Sequence, residues 1–131
     1  MIKDKLLVLS NLQSGLTTSA ASESYIDMKA AGDAYGQELY LVARVGTAFA
    51  NATSMDISLQ TDDVTTFNSD LTTLVSSGAI LEAGLTQDTV VFVTRVPKGL
   101  RRYVRGYYTI VGTHNAGTID LFLTADVPQL V

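Results

Sequence analysis

Cysteine is absent from this 131-residue chain, which excludes disulfides and cysteine-ligated zinc or iron–sulfur centres. Tryptophan is absent as well, so the larger core side chains must be mostly Leu, Val, Ile and Phe. His114 is the only histidine, leaving no second imidazole for a paired metal centre. Charged residues make up only 17% of the chain and hydrophobic residues 47%, too apolar a balance for a disordered polymer. The surface must then be built largely from Thr, Ser, Gly and Ala. No apolar stretch approaches the length of a transmembrane helix. The opening run Leu6–Leu9 is followed at once by the polar Ser10, Asn11 and Gln13, too short a run for a signal peptide. The length suits one domain with one core.

What is present reads as strands. Leu39, Leu41, Ala43 and Val45 alternate with Tyr40, Val42 and Arg44, the period of two that marks a strand. After the turn-like Phe49-Ala50-Asn51-Ala52, Met55, Ile57 and Leu59 alternate with Asp56, Ser58 and Gln60 and make the cleanest half-buried strand. Ile119, Leu121 and Leu123 form a third row, against Asp120, Phe122 and Thr124. Thr89–Val96 is rich in β-branched residues and stops where Pro97 limits pairing. Arg102–Val111 is a long strand interrupted by Gly106, a bulge or close-contact position, and Gly112–Gly117 reads as a turn after it. No long segment carries a helical period. Short strands with frequent turn signals predict a sandwich or a barrel. Residues 1–37 form a looser leader, with short strands at Leu6–Leu9 and Ser24–Met28, and residues 38–131 form the strand-rich body. Leader and body together make one domain, the leader wrapping the body or reaching a neighbouring subunit.

The most informative run is Lys98-Gly99-Leu100-Arg101-Arg102-Tyr103-Val104-Arg105-Gly106-Tyr107-Tyr108. It places four of the nine basic residues within eight positions of a chain whose net charge is −4. Alternation puts Arg101, Tyr103, Arg105 and Tyr107 on one side, and Arg102, Val104, Gly106 and Tyr108 on the other. Such arginines pair either with acidic groups of the same fold or with those of a partner, and the pattern leaves both readings open. Interleaved Arg and Tyr also suit nucleic acid, but no RNA-recognition signature accompanies them and the rest of the chain is acidic. Tyr25, Tyr35, Tyr40, Tyr103, Tyr107 and Tyr108 are candidates to stack on sugar rings, against the plainer role of packing. Asp62 and Asp63 with Asp56 or Asp70 offer hard oxygen ligands, as do Asp27, Asp33 and Glu38. Neither group has the spacing of a calcium loop, so no metal is assigned. His114 sits in a glycine-rich turn and reads as solvent-exposed. No nucleophile elbow is present, and the chain reads as a non-enzyme without a cofactor.

Arg95-Val96-Pro97 through Leu100-Arg101-Arg102-Tyr103-Val104-Arg105, with Tyr108 and Gly112 beyond, resembles the capsid cement proteins of a short-tailed Bordetella phage and related tailed phages. Ser19-Ala20-Ala21-Ser22-Glu23 with Ile26-Asp27, and Leu39-Tyr40-Leu41-Val42 with Ala48-Phe49 and Leu59-Gln60-Thr61, extend the likeness over nearly the whole chain. The resemblance implies an all-β antiparallel jelly-roll β-sandwich with an extended N-terminal segment. It implies a homodimer on the outer surface of the virion capsid, made in the host cytoplasm and bridging major capsid protein subunits. It implies no enzymatic activity, cofactor, specific nucleic acid or membrane partner. The family has no short active-site motif, so contacts are read from residue chemistry. Lys98, Arg101, Arg102, Tyr103, Arg105 and Tyr107 are the candidates for a capsid or dimer interface. Leu6, Leu7, Val8 and Leu9 are the candidates for an N-terminal contact. A surface glycan-binding module for host attachment is the alternative.

Overall fold

The computed structural model describes residues 8–28, 39–69 and 71–124. Among these, eight strands follow in chain order: β1 (Val8–Gln13), β2 (Ala20–Asp27), β3 (Tyr40–Val45), β4 (Ala50–Asp62), β5 (Thr72–Leu81), β6 (Val90–Arg95), β7 (Tyr103–Ala116) and β8 (Ile119–Thr124). A 3-10 turn, Glu82–Gly84, lies between β5 and β6. The strands form two four-stranded sheets, β1-β8-β3-β6 and β2-β7-β4-β5. Every pairing is antiparallel. The architecture is an all-β two-sheet sandwich.

The period-two rows explain how the sheets meet. Leu41, Ala43 and Val45 of β3, Ile119, Leu121 and Leu123 of β8, and Leu9 of β1 point inward from one sheet. Met55, Ile57 and Leu59 of β4, Val104 and Tyr108 of β7, and Ile26 of β2 meet them from the other. All three predicted core rows are buried, and each side chain of that size contributes about 1.5–3 kcal/mol through removal from water. Leu16, Phe49, Leu85, Val96 and Leu100 plug the sandwich from its connections. Residues 8–28 therefore give the sandwich two strands, one at an edge of each sheet, while Leu6 and Leu7 lie outside the described residues.

Three local expectations are corrected. Gly112–Gly117 is not a turn throughout: β7 continues to Ala116, and Gly112 (φ +92°) lies opposite Ala52 where the β4 register shifts. Ala50–Ala52 likewise belongs to β4, with Asn51 at φ +70° beside that irregularity. Both stretches read as turns because left-handed backbone favours Gly and Asn equally in turns and in bulges. The third concerns the leader's first strand, expected at Leu6–Leu9: β1 runs on through Ser10 to Gln13.

A preassembled arginine–aromatic face on one sheet

β7 lies inside its sheet, between β2 and β4, so its alternation decides which side chains reach the surface. Val104, Gly106 and Tyr108 are buried toward the core, while Tyr103, Arg105 and Tyr107 occupy the outward row. Gly106 is a close-contact position, because a Cβ there would fall inside the Leu121 side chain of the facing sheet. Its N–H donates to Ser22 Oγ at 3.0 Å. Tyr108 is fully buried; its hydroxyl and that of Ser10 hydrogen-bond at 2.7 Å, and Ser10 also donates to Gln13 Oε1 at 2.6 Å. Burial pushes the Tyr108 phenol well above its ordinary range, because the phenolate has no comparable solvation inside the sandwich.

The arginines of the run have different partners. Arg101 donates to Asp63 Oδ2 at 2.8 Å across the exposed entry to β7. Its backbone N–H donates to Thr61 Oγ1, and Thr61 in turn donates to the Tyr103 carbonyl, both at 2.8 Å. Arg102 holds Asp27 with both ends of its fork, Nε to Oδ1 at 3.0 Å and Nη2 to Oδ2 at 3.2 Å. The Asp27 carboxylate raises the Arg102 pKa, first by hydrogen bonding and then by charge. Arg102 precedes the strand, so it joins this exposed pair instead of the inward row that strict alternation assigned to it. Arg105 differs from both. Its Nε donates to Gln60 Oε1 at 2.9 Å, and its guanidinium stands 4.6 Å from the centre of the Phe67 ring and 5.4 Å from that of Tyr107. Desolvation lowers its pKa, opposed by Tyr107 and Asp62.

Phe67 arrives from the loop after β4. Asp62 is fully buried; its Oδ1 accepts from the Asp63 and Val64 N–H groups, and its Oδ2 accepts from Ser69 N–H at 3.1 Å. That carboxylate folds the polar connection back over the sheet and buries Phe67 at a backbone φ of +54°. Tyr25 of β2 completes the group, edge-on to Phe67 at 6.3 Å and to Tyr103 at 5.6 Å between ring centres, and half of its surface is exposed. The rings thus meet one another edge to face, a favoured aromatic geometry.

The Bbp16 family model matches residues 9–123, from the first core leucine of β1 to the last of β8. The chain belongs to the Bbp16 family. No curated protein matches it. Membership makes it a non-catalytic phage structural protein, associated with the capsid and built as a β-sandwich.

In this Bbp16 family member the remaining sequence candidates fall in several places. Lys98 is exposed in the connection before β7, anchored by the buried Leu100. Val8 pairs with Phe122, and Leu9 is wholly buried in the core. The acidic candidates are dispersed into other work. Asp62 staples its loop, Asp63 pairs with Arg101, and Asp56 accepts from Ser76 Oγ at 2.6 Å. Among the described residues no group of three acidic or histidine side chains converges on a metal position, and Asp33, Glu38 and Asp70 lie outside them. His114 is not an exposed turn residue: it sits on β7, 1% exposed, edge-on to Phe49 at 4.8 Å. Phe67 and Gln60 escaped sequence reasoning as partners of Arg105. The available signal was an isolated aromatic within a polar, aspartate-led connection.

Proposed function

We propose that this protein is a head decoration, or cement, protein that binds the outer capsid surface as a homodimer and bridges major capsid protein subunits. The match to the Bbp16 family across both sheets carries this reading. The strand pairing supports the jelly-roll form of the sandwich. β1 pairs with β8, β2 with β7, β3 with β6 and β4 with β5, the nesting produced when one long antiparallel ribbon folds over itself. In this reading residues 1–37 supply the arm and edge strands, and residues 38–131 supply the body.

The physical demands of the task are modest and match the fold. A shell under internal pressure is held by rigid modules that touch two subunits at once. A two-fold dimer presents each patch twice, so individually weak contacts gain from multivalency. The outward row of β7, Tyr103, Arg105 and Tyr107, together with the ion-paired Arg101 and Arg102 that precede the strand, is already held by contacts within the fold, which lowers the ordering cost of docking. Preferential binding to the expanded shell stabilises that state by mass action.

Cryo-electron microscopy of virions carrying this protein tests the proposal. Two-fold density for the sandwich between major capsid protein subunits is the expected result. Its absence from the shell, with density on a tail or fibre instead, rejects head stabilisation.

A further inference from the structure

The arginines on this face are unequally committed. Arg101 and Arg102 are each neutralised by an aspartate of their own fold, Asp63 and Asp27. Arg105 meets no carboxylate at ion-pair distance among the described residues. Only its Nε is engaged, by the neutral Gln60 amide, and both terminal nitrogens lie beyond that bond. Its plane is gripped by Phe67 and Tyr107. Desolvation already acts on the group, and its side chain remains half-buried rather than sealed. A guanidinium held this way is already ordered and partly desolvated, while the buried Asp62 carboxylate acts on it only from beyond ion-pair distance.

Its surroundings are also arranged at some expense. Phe67 keeps a left-handed backbone that a bulky residue rarely adopts, and the buried Asp62 carboxylate maintains the loop that places it there. Strain retained around an unpaired cation points to recognition by that cation. We infer that Arg105 is the receptor for a partner carboxylate, an Asp or Glu side chain on an acidic loop of the major capsid protein, accepted end-on by its two terminal nitrogens. This rests on the decoration-protein reading above.

The charge pattern selects the partner. With Arg101 and Arg102 compensated internally, the face offers one planar fork, which suits a single bidentate carboxylate. A phosphate backbone would call for several uncompensated cations in a row. Among the described residues the acidic side chains of this sheet are already engaged within the fold, which makes the matching face of a second copy a poor source of the acid. Asp27 on β2 and Asp63 in the loop after β4 are paired with arginines, Asp56 accepts from Ser76, and Glu23 Oε1 accepts from the Asn11 N–H at 2.6 Å. The exposed Tyr25 ring beside the fork supplies a rim that excludes water once a loop is seated.

Binding of the full chain to heads assembled without it tests the inference, using wild type, Arg105→Gln, Arg105→Lys and Arg44→Gln. Arg44 lies on β3 in the other sheet, paired with Asp88, so its loss matches the change in net charge. Melting curves establish that each variant is folded. The expected result is that Arg105→Gln weakens binding about 10- to 100-fold and flattens its salt dependence, while Arg44→Gln binds as wild type. Arg105→Lys, which keeps the charge and loses the fork, falls between them. Equal binding by Arg105→Gln and Arg44→Gln overturns the inference and leaves the decoration reading standing. Failure of wild type to bind heads overturns both. Should Arg105→Gln not fold, the lysine variant decides, and wild-type affinity from it overturns the carboxylate fork.

Discussion

The guanidinium of Arg105 lies 4.6 Å from the centre of the Phe67 ring, and Phe67 holds that place from a backbone φ of +54°. The contact joins a strand residue to a loop residue 38 positions earlier, through a loop tied down by one buried carboxylate. It therefore belongs to the tertiary structure alone.

That backbone makes Phe67 an informative site for substitution. Phe67→Ala and Phe67→Gly both remove the ring and should both lower stability. Glycine relieves the left-handed strain that alanine retains, so Phe67→Gly should be the more stable of the two by about 1 kcal/mol. Urea denaturation of the pair measures the difference. An alanine variant as stable as the glycine variant would mean the loop relaxes and stores no strain.

The Tyr108–Ser10 bond ties the inner face of β7 to the edge strand β1. Tyr108→Phe should cost about 1 kcal/mol, and Tyr108→Phe with Ser10→Ala should cost less than the two single changes added. The phenol is held above its ordinary pKa in the folded state, so the folded form disfavours phenolate. Its stabilising contribution is complete below about pH 10 and is lost as pH rises above that value. Alkaline unfolding of wild type and Tyr108→Phe should therefore differ, with the phenylalanine variant lacking this component.

His114 carries the opposite pH dependence. Burial lowers its pKa, partly offset by the Ala50 carbonyl and the Glu82 charge, while the Phe49 ring packs against it. The unfolded chain takes up a proton below about pH 6.5 more readily than the folded one, so this contribution falls as pH drops through that range. His114→Leu should remove the component between pH 7 and pH 5. Identical acid profiles for wild type and variant would place the imidazole in solvent.

Gly106 faces Leu121 across the sandwich with no room for a β-carbon. Gly106→Ala should destabilise by about 1–3 kcal/mol, as overpacking typically does. Leu121→Ala in the same chain should recover part of that loss, making the pair less damaging than the sum. A strictly additive pair in thermal melts would mean the two sheets simply move apart.

The sandwich was legible in the chain because strand patterning is local. Met55, Ile57 and Leu59, like Ile119, Leu121 and Leu123, alternate with polar or smaller neighbours, and a period of two needs no tertiary information. The grouping of Tyr103, Arg105 and Tyr107 on one side followed from the same periodicity, while the packing of the two sheets decided that this side faces outward. Left-handed residues were harder, because Asn51 and Gly112 look alike whether they end a strand or bend it. His114 was misplaced for the same reason: glycines around it suggested a turn, and only pairing of Ala50 with Ala116 shows that β7 continues past it.

By itself, then, the sequence determined the strand rows, the absence of thiol chemistry and the basic-aromatic run, since each depends on residue identity and short spacing. Tertiary structure decided that, among the described residues, Arg105 meets no carboxylate at ion-pair distance while Arg101 and Arg102 do. Asp27 reaches Arg102 and Asp63 reaches Arg101 only because β2 and the loop after β4 flank β7 in space. Charge pairing falls off over a few ångströms of real distance, and chain separation does not report that distance.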